Sequence, residues 1–245
     1  MAGTAVSGRL SWQPAAVRRL VAETRRARTI LLDLPGWPGH RAGQHVDLRL
    51  TAEDGYQAER SYSIASAPED PGLALTVVRV DDGEVSPYLV DDLAPGDELE
   101  VRGPVGGYFT WEDQMAGPAL LIGGGSGVVP LRSMLRHHRA SQSTVATRLI
   151  YSVRSPQDVI YRDELDSLAA DEAIEVRFVF TRSAPPGWDG LRGRVGEQTL
   201  AELGWQPSFE TATFVCGPNG FVEAVTQALV ALGQPPDHIR TERFG

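Results

Sequence analysis

Lysine is absent from the 245 residues and cysteine occurs once. All 23 basic residues are arginines, a bias expected of a GC-rich genome, and no function attaches to it. The single thiol, Cys216, excludes an internal disulfide. A cysteine-ligated iron–sulfur cluster needs several thiolates, so this chain cannot hold one by itself. A Cys/His zinc cluster is equally unsupported. The histidines His40, His45, His137, His138 and His238 fall at no metal-ligand spacing, and no metal site is expected. The His137-His138 pair lies on a predicted helix and is expected to be solvated. No apolar run reaches membrane-spanning length. No basic tract dominates a region, and a net charge of −9 argues against a general nucleic-acid binder. Met1 to Pro14 lacks a basic start followed by an apolar stretch, so no secretory signal is read there. A cytoplasmic protein without membrane insertion is the expectation. No Ser-His-Asp arrangement or nucleophile elbow occurs.

A hydrophobic content of 42% and a charged content of 22% are those of a globular chain, and the length allows two domains. Residues 14–110 read as all-β. Val17–Glu23, Thr29–Leu34, His45–Thr51, Arg60–Ser66, Leu73–Val80 and Glu98–Gly103 are β-prone runs separated by turn signals such as Pro35-Gly36, Glu53-Asp54-Gly55, Asp70-Pro71-Gly72 and Pro95-Gly96-Asp97. Six antiparallel strands at this spacing predict a small closed barrel, because closure removes the edges. Ser86–Leu93 is read as a short helix within it. Beyond the polar stretch Glu112–Pro118 the pattern alternates. Ala119–Ile122, Arg148–Ser152, Glu175–Phe180 and Thr213–Cys216 read as strands, and Val128–Arg139, Tyr161–Ala169 and Phe221–Leu232 as helices. Such alternation predicts a parallel sheet with helices on both faces. The expected domains are 1–113 and 114–245.

Four stretches carry chemistry and a fifth is structural. In Arg60-Ser61-Tyr62-Ser63, residues two apart share a strand face, so Arg60 and Tyr62 point together. A guanidinium beside a ring suits a phosphate next to a flat heterocycle, although an edge strand with a solvated Arg has the same pattern. In Gly83-Glu84-Val85-Ser86, Ser86 reads as the cap of a short helix whose free N–H groups face a pyrophosphate. Gly103-Pro104-Val105-Gly106-Gly107-Tyr108-Phe109 reads as a structural turn closing the barrel. Gly123-Gly124-Gly125-Ser126-Gly127-Val128-Val129-Pro130 joins a strand to a helix, where glycines admit a phosphate and the helix offers its positive end. Its spacing departs from G-x-G-x-x-G at Pro130, which falls in the first helical turn. Cys216-Gly217-Pro218-Asn219-Gly220-Phe221 ends a strand and starts a helix; a lone Cys there is equally a packing residue.

Arg60-x-Tyr62-Ser63, Gly83-x-x-Ser86, the glycine loop before Pro130 and Cys216-Gly217-Pro218-x-x-Phe221 stand in the order found in the ferredoxin–NADP reductase family, and the chain resembles that family from Arg60 to Phe244. The resemblance implies a six-stranded antiparallel flavin barrel followed by a Rossmann-like nicotinamide domain, without an iron–sulfur domain. It implies FAD held by Arg60, Ser61, Tyr62, Ser63, Val78, Val80, Gly83, Val85, Ser86 and Phe244. The nicotinamide dinucleotide would lie on Gly124, Gly125, Ser126, Gly127, Pro130, Cys216, Gly217, Pro218 and Phe221. Ser63, Cys216 and Glu242 are implied around the reacting atoms, with the Cys216 thiol beside the nicotinamide, Glu242 in proton relay and Phe244 over the flavin. NADPH is expected over NADH, because a hydroxyl residue followed by Arg, here Thr181-Arg182, ends the third strand of that domain. Arg154, Arg192 and Arg194 are further cations for a 2′-phosphate. The implied activity is hydride transfer from NADPH to FAD, then single electrons to a separate acceptor, a ferredoxin or oxygenase component. The alternatives are reduction of free flavin, quinone or another small acceptor, and a redox-sensing subunit without turnover.

Overall fold

A computed structural model of the chain describes residues 10–52, 54–111, 117–204, 206, 208 and 210–244. The expected domain boundary after residue 113 lies outside the described residues.

Six strands form the first unit: β1 (Gln13–Thr24), β2 (Ala27–Asp33), β3 (His45–Thr51), β4 (Gln57–Ser63), β5 (Leu73–Val78) and β6 (Glu98–Val105). Every pairing is antiparallel, in the order β4-β3-β6-β1-β2-β5. Beyond the end of β4, a single antiparallel bridge from Ile64 to Leu75 brings the two outer strands together; the expected closed barrel is thus a six-stranded antiparallel sheet without a β4–β5 ladder. Alternate residues point inward, so Ile30, Leu32, Val46, Leu48, Leu75 and Val101 fill the interior.

The second unit is a five-stranded parallel sheet built from β7 (Ala119–Gly124), β8 (Thr147–Val153), β9 (Ile174–Phe180), β10 (Ala212–Pro218) and β11 (Ile239–Phe244), ordered β11-β10-β7-β8-β9. Four α-helices accompany it: α1 (Val128–Ala140), α2 (Arg162–Leu168), α3 (Glu197–Glu202) and α4 (Asn219–Ala231). β7 alternates between two cores. Ala119 and Leu121 face the cluster shared with α1 and α2, whereas Leu120 and Ile122 face that of α3 and α4. Both faces are therefore covered, as the alternation predicts. β7 has β8 on one side and β10 on the other, so the chain reverses its winding there and opens a crevice at the carboxyl ends of these strands. None of the described helices is long and apolar enough to cross a membrane.

Three expectations need correction. The helix read at Ser86–Leu93 is a π-helical turn, Tyr88–Asp92, preceded by Pro87 and without a side-chain cap. The Ser86 hydroxyl instead accepts the Val80 N–H at 3.0 Å. The end of the chain is a strand, β11, where no strand was expected. And His137-His138 is not solvated. His138 is fully buried, bonds the Val145 carbonyl through Nε2 and meets the Trp111 ring edge-on; His137 lies 2.7 Å from Glu69 Oε1.

The histidines are buried because α1 is the interface helix. Arg132 Nη1 donates to the Ala65 carbonyl at 2.7 Å and the Ser133 hydroxyl to the Ser66 carbonyl at 2.6 Å. Arg136 bridges Asp70 of the barrel and Glu164 of α2, and Arg132 also bonds Glu164. Burial pushes the Asp70 carboxyl up, but the bonds from Arg136 and the Ala67 N–H outweigh it and hold it below its ordinary value. Phe109 inserts into the second unit, edge-on to Phe214, while Tyr108 stays exposed and donates to the Ile239 carbonyl. Phe109 is therefore the structural aromatic of the glycine-rich turn.

Candidate cofactor-binding crevice

Between barrel and sheet lies a crevice of about 1880 Å³. Its barrel wall is the end of β4 (Arg60, Ser61, Tyr62 and Ser63), the end of β5 (Val78, then Val80) and the loop Gly83, Val85 and Ser86. Its sheet wall holds Gly124, Gly125 and Ser126 after β7, Arg154 after β8, Thr181 and Arg182 after β9, Arg194, and Pro218 and Phe221 at the start of α4. Glu242 and Phe244 of β11 close one end.

Five expected site residues do not reach that surface. Gly127, which caps the start of α1, and Pro130 in its first turn are buried. A Cβ on Gly127 would stand 2.1 Å from the Cys216 carbonyl oxygen, so the glycine is what lets α1 start against β10. Cys216 and Gly217 are buried behind the wall, with Cys216 at 0% exposure. Arg192 lines a separate depression of about 480 Å³ beside Asp189, and its Nη2 donates to the Trp188 carbonyl. Gly193, at φ +94°, turns the chain between Arg192 and Arg194 and sends them to different sides.

The titratable groups at the β11 end are strongly perturbed. Burial pushes the Glu242 carboxyl up to about 7, against the Ser63 hydroxyl, which favours the ionised form. Its Oε1 lies 3.8 Å from His45 Nδ1, and its Oε2 is buried with no hydrogen-bond partner among the described residues. Burial lowers the His45 imidazole, with Asp47 opposing. Burial raises the Cys216 thiol well above its ordinary value, and the neighbouring Glu242 adds to this. Tyr62 is pushed up to about 12 by burial, with Arg60 opposing. Cys216 and Glu242 are register partners across β10 and β11, and His45 and Ser63 across β3 and β4. Two strand pairs, one from each unit, thus bring a hydroxyl, an imidazole and a carboxyl to one place.

Two family models match the chain: an oxidoreductase FAD-binding domain over residues 20–110 and an oxidoreductase NAD-binding domain over residues 121–227. Ferredoxin–NADP reductase B of Sorangium cellulosum is 37% identical over 212 residues, which is 83% of this chain and 84% of that protein. The chain belongs to the ferredoxin–NADP reductase family. A second relative, the glycine betaine monooxygenase reductase subunit of Chromohalobacter salexigens, is 35% identical over 93% of this chain, which spans 62% of that relative's length. Among solved structures, an Amycolatopsis cytochrome P450 reductase superposes with a TM-score of 0.84 at 29% identity, over 98% of this chain and 73% of that one. The FAD/NAD-binding domain of nitric oxide dioxygenase from Vibrio cholerae gives 0.84 at 26% identity, over 95% and 98%.

The residues of this family member fit an FAD and a nicotinamide dinucleotide. Glu242 lines the crevice, and its buried Oε2 has no hydrogen-bond partner among the described residues. Gly83 and Gly124 both line the crevice without a side chain; a Cβ on Gly83 would stand 2.9 Å from Ser86 Oγ and one on Gly124 2.7 Å from the Phe221 ring, so the packing of each wall requires the glycine. Gly125 takes φ +56°, a conformation that favours glycine.

Sequence reasoning missed His45 and the charged rim of the barrel wall. Arg26, Arg79, Asp81, Asp82 and Glu84 all line the crevice. Arg60 Nη2 lies 3.0 Å from Glu84 Oε2, and Arg79 pairs with both Asp81 and Asp91. By contrast Arg154, Arg182 and Arg194 have no carboxylate partner among the described residues.

Proposed function

We propose that the chain is the reductase of an electron-transfer system, binding FAD on the barrel and NADPH on the sheet, and delivering single electrons to a separate acceptor, a ferredoxin or an oxygenase component. The observation that carries this reading is the meeting of Ser63, Glu242 and Ser126 in one crevice at the winding reversal of the sheet. The reductase subunits among its relatives support the acceptor. When bound, the cofactors supply the two-electron step and its division into single electrons.

The chain's residues position and exclude. Arg60 and the Gly83–Ser86 loop would hold the diphosphate of the flavin, and Val78 and Val80 would help hold its ring. Gly124, Gly125 and Ser126 take the nicotinamide end of the second ligand. Cys216, sealed and held as a thiol, shapes the floor and forms no covalent bond. Glu242, titrating near neutral pH beside Ser63, exchanges a proton with solvent at the reacting end. Arg154, Arg182 and Arg194 read a 2′-phosphate; their lack of carboxylate partners favours NADPH, since a phosphate meets no competing anion there.

The visible spectrum of the purified protein tests the proposal. The protein should be yellow, release FAD on heating, and bleach faster with NADPH than with NADH. A colourless chain that cannot be reconstituted with FAD overturns it.

A further inference from the structure

The phosphate side of the barrel wall is electrically balanced against itself. Three cations on the crevice, Arg26, Arg60 and Arg79, face three carboxylates, Asp81, Asp82 and Glu84. Glu84 sits inside the Gly83–Ser86 loop, with its Oε2 3.0 Å from Arg60 Nη2. Arg26 Nη2 lies 3.0 Å from Asp81 Oδ2. The Ser86 hydroxyl is engaged by the Val80 N–H. A diphosphate that takes Arg60 therefore has to displace or share a carboxylate of the same loop, and two negative charges arrive at a wall with no net positive charge.

We propose that Glu84 is an internal competitor for Arg60, which sets how tightly the chain holds FAD and keeps the flavin exchangeable. The inference rests on the FAD reading above and adds to it a residue that governs cofactor retention.

The Arg60–Glu84 pair is half exposed on both sides, 52% and 43%, so its removal acts in the range of a surface pair together with relief of carboxylate–phosphate repulsion. Glu84→Gln keeps the shape and removes the charge. FAD affinity, read by quenching of flavin fluorescence on titrating deflavinated protein, should tighten roughly three- to tenfold. The gain should shrink at high salt, as exposed charges do. Arg60→Ala should weaken FAD, and Glu84→Gln added to Arg60→Ala should give a clearly smaller gain than in the wild type, because only the carboxylate–phosphate repulsion is then left to relieve. Unchanged or weaker FAD binding in Glu84→Gln, or the same gain without Arg60, overturns the inference while leaving the FAD reading intact. A chain that binds no FAD in any of these forms removes both.

Discussion

Replacing Glu242 by Gln should make the folded protein more stable above neutral pH and leave it unchanged in acid. The Glu242 carboxyl rises from an ordinary value of 4.5 to about 7 on folding, chiefly because burial penalises its charge. A raised carboxyl favours the protonated form in the folded chain. Its contribution is therefore complete below about 4.5 and is lost as pH climbs through about 7, beyond which the fold carries a buried carboxylate. A shift of this size corresponds to about 3 kcal/mol. The side chain keeps 22% of its surface exposed, so solvent leaves that figure as a ceiling. For a chain of this length each kcal/mol moves Tm by about 2–4 °C. Thermal unfolding of both proteins from about pH 4 to 8.5 should show curves that coincide at the acid end and separate by several degrees at the alkaline end, with the variant higher. Burial lowers the His45 imidazole, so its contribution has the opposite sign; because it lies 3.8 Å from Glu242, the same comparison in a His45→Asn background isolates the carboxyl. A difference in Tm that stays constant with pH, or a wild type that is the more stable one at pH 8, refutes the account of Glu242.

Arg182→Ala should raise KM for NADPH by about tenfold and barely alter NADH in steady-state kinetics, since only the 2′-phosphate loses a charge-assisted contact; equal penalties on both cofactors would place Arg182 elsewhere. Gly127→Ala should destabilise by about 3 kcal/mol or more in urea unfolding, because its Cβ would meet the backbone oxygen of Cys216 at 2.1 Å and neither chain can yield cheaply; a wild-type midpoint would mean that α1 moves freely. Arg136→Ala takes the guanidinium from Asp70 and leaves Glu164 to Arg132 alone at the domain interface, and should split or broaden the unfolding transition seen by calorimetry; an unchanged single transition would show that packing and the Arg132 and Ser133 bonds hold the interface without it.

The strands of the barrel were legible because they are flanked by Gly and Pro turns and alternate cleanly; β3 runs over the expected His45–Thr51. The position of His45 was legible too, though unread. The turn at Glu53-Asp54-Gly55 is centred between His45 and Ser63, so a regular hairpin sets them opposite each other, as the register does. β11 was not legible. Ile239-Arg240-Thr241-Glu242-Arg243-Phe244 buries one side chain fully, and its pairing with β10 is an edge contact that leaves no apolar alternation. Ser86 misled because a Ser before a helical turn is read as its cap, whereas the hydroxyl found a nearer N–H across the preceding turn. Arg192 and Arg194 share a charge and a loop; only the backbone at Gly193 separates them, and sequence spacing does not carry that angle. The His137-His138 pair failed for a different reason. Periodicity gives a helix its faces, but not how many of them the rest of the chain covers.

The helix α1 begins at the loop carrying Ser126 and, one turn and a half along, is bolted through Arg132 and Ser133 to the carbonyls of Ala65 and Ser66, the residues that directly follow the β4 segment ending at Ser63. The spacing between the two halves of the crevice is thereby recorded in the length of one helix rather than in a linker. This makes the segment 63–70 and α1 a single heritable part. A chimera that takes the barrel from one relative and the sheet from another at the domain boundary would separate the two ends of that gauge. One that transplants α1 together with residues 63–70 would carry the spacing with it, which makes this pair the natural unit of exchange for building hybrid reductases.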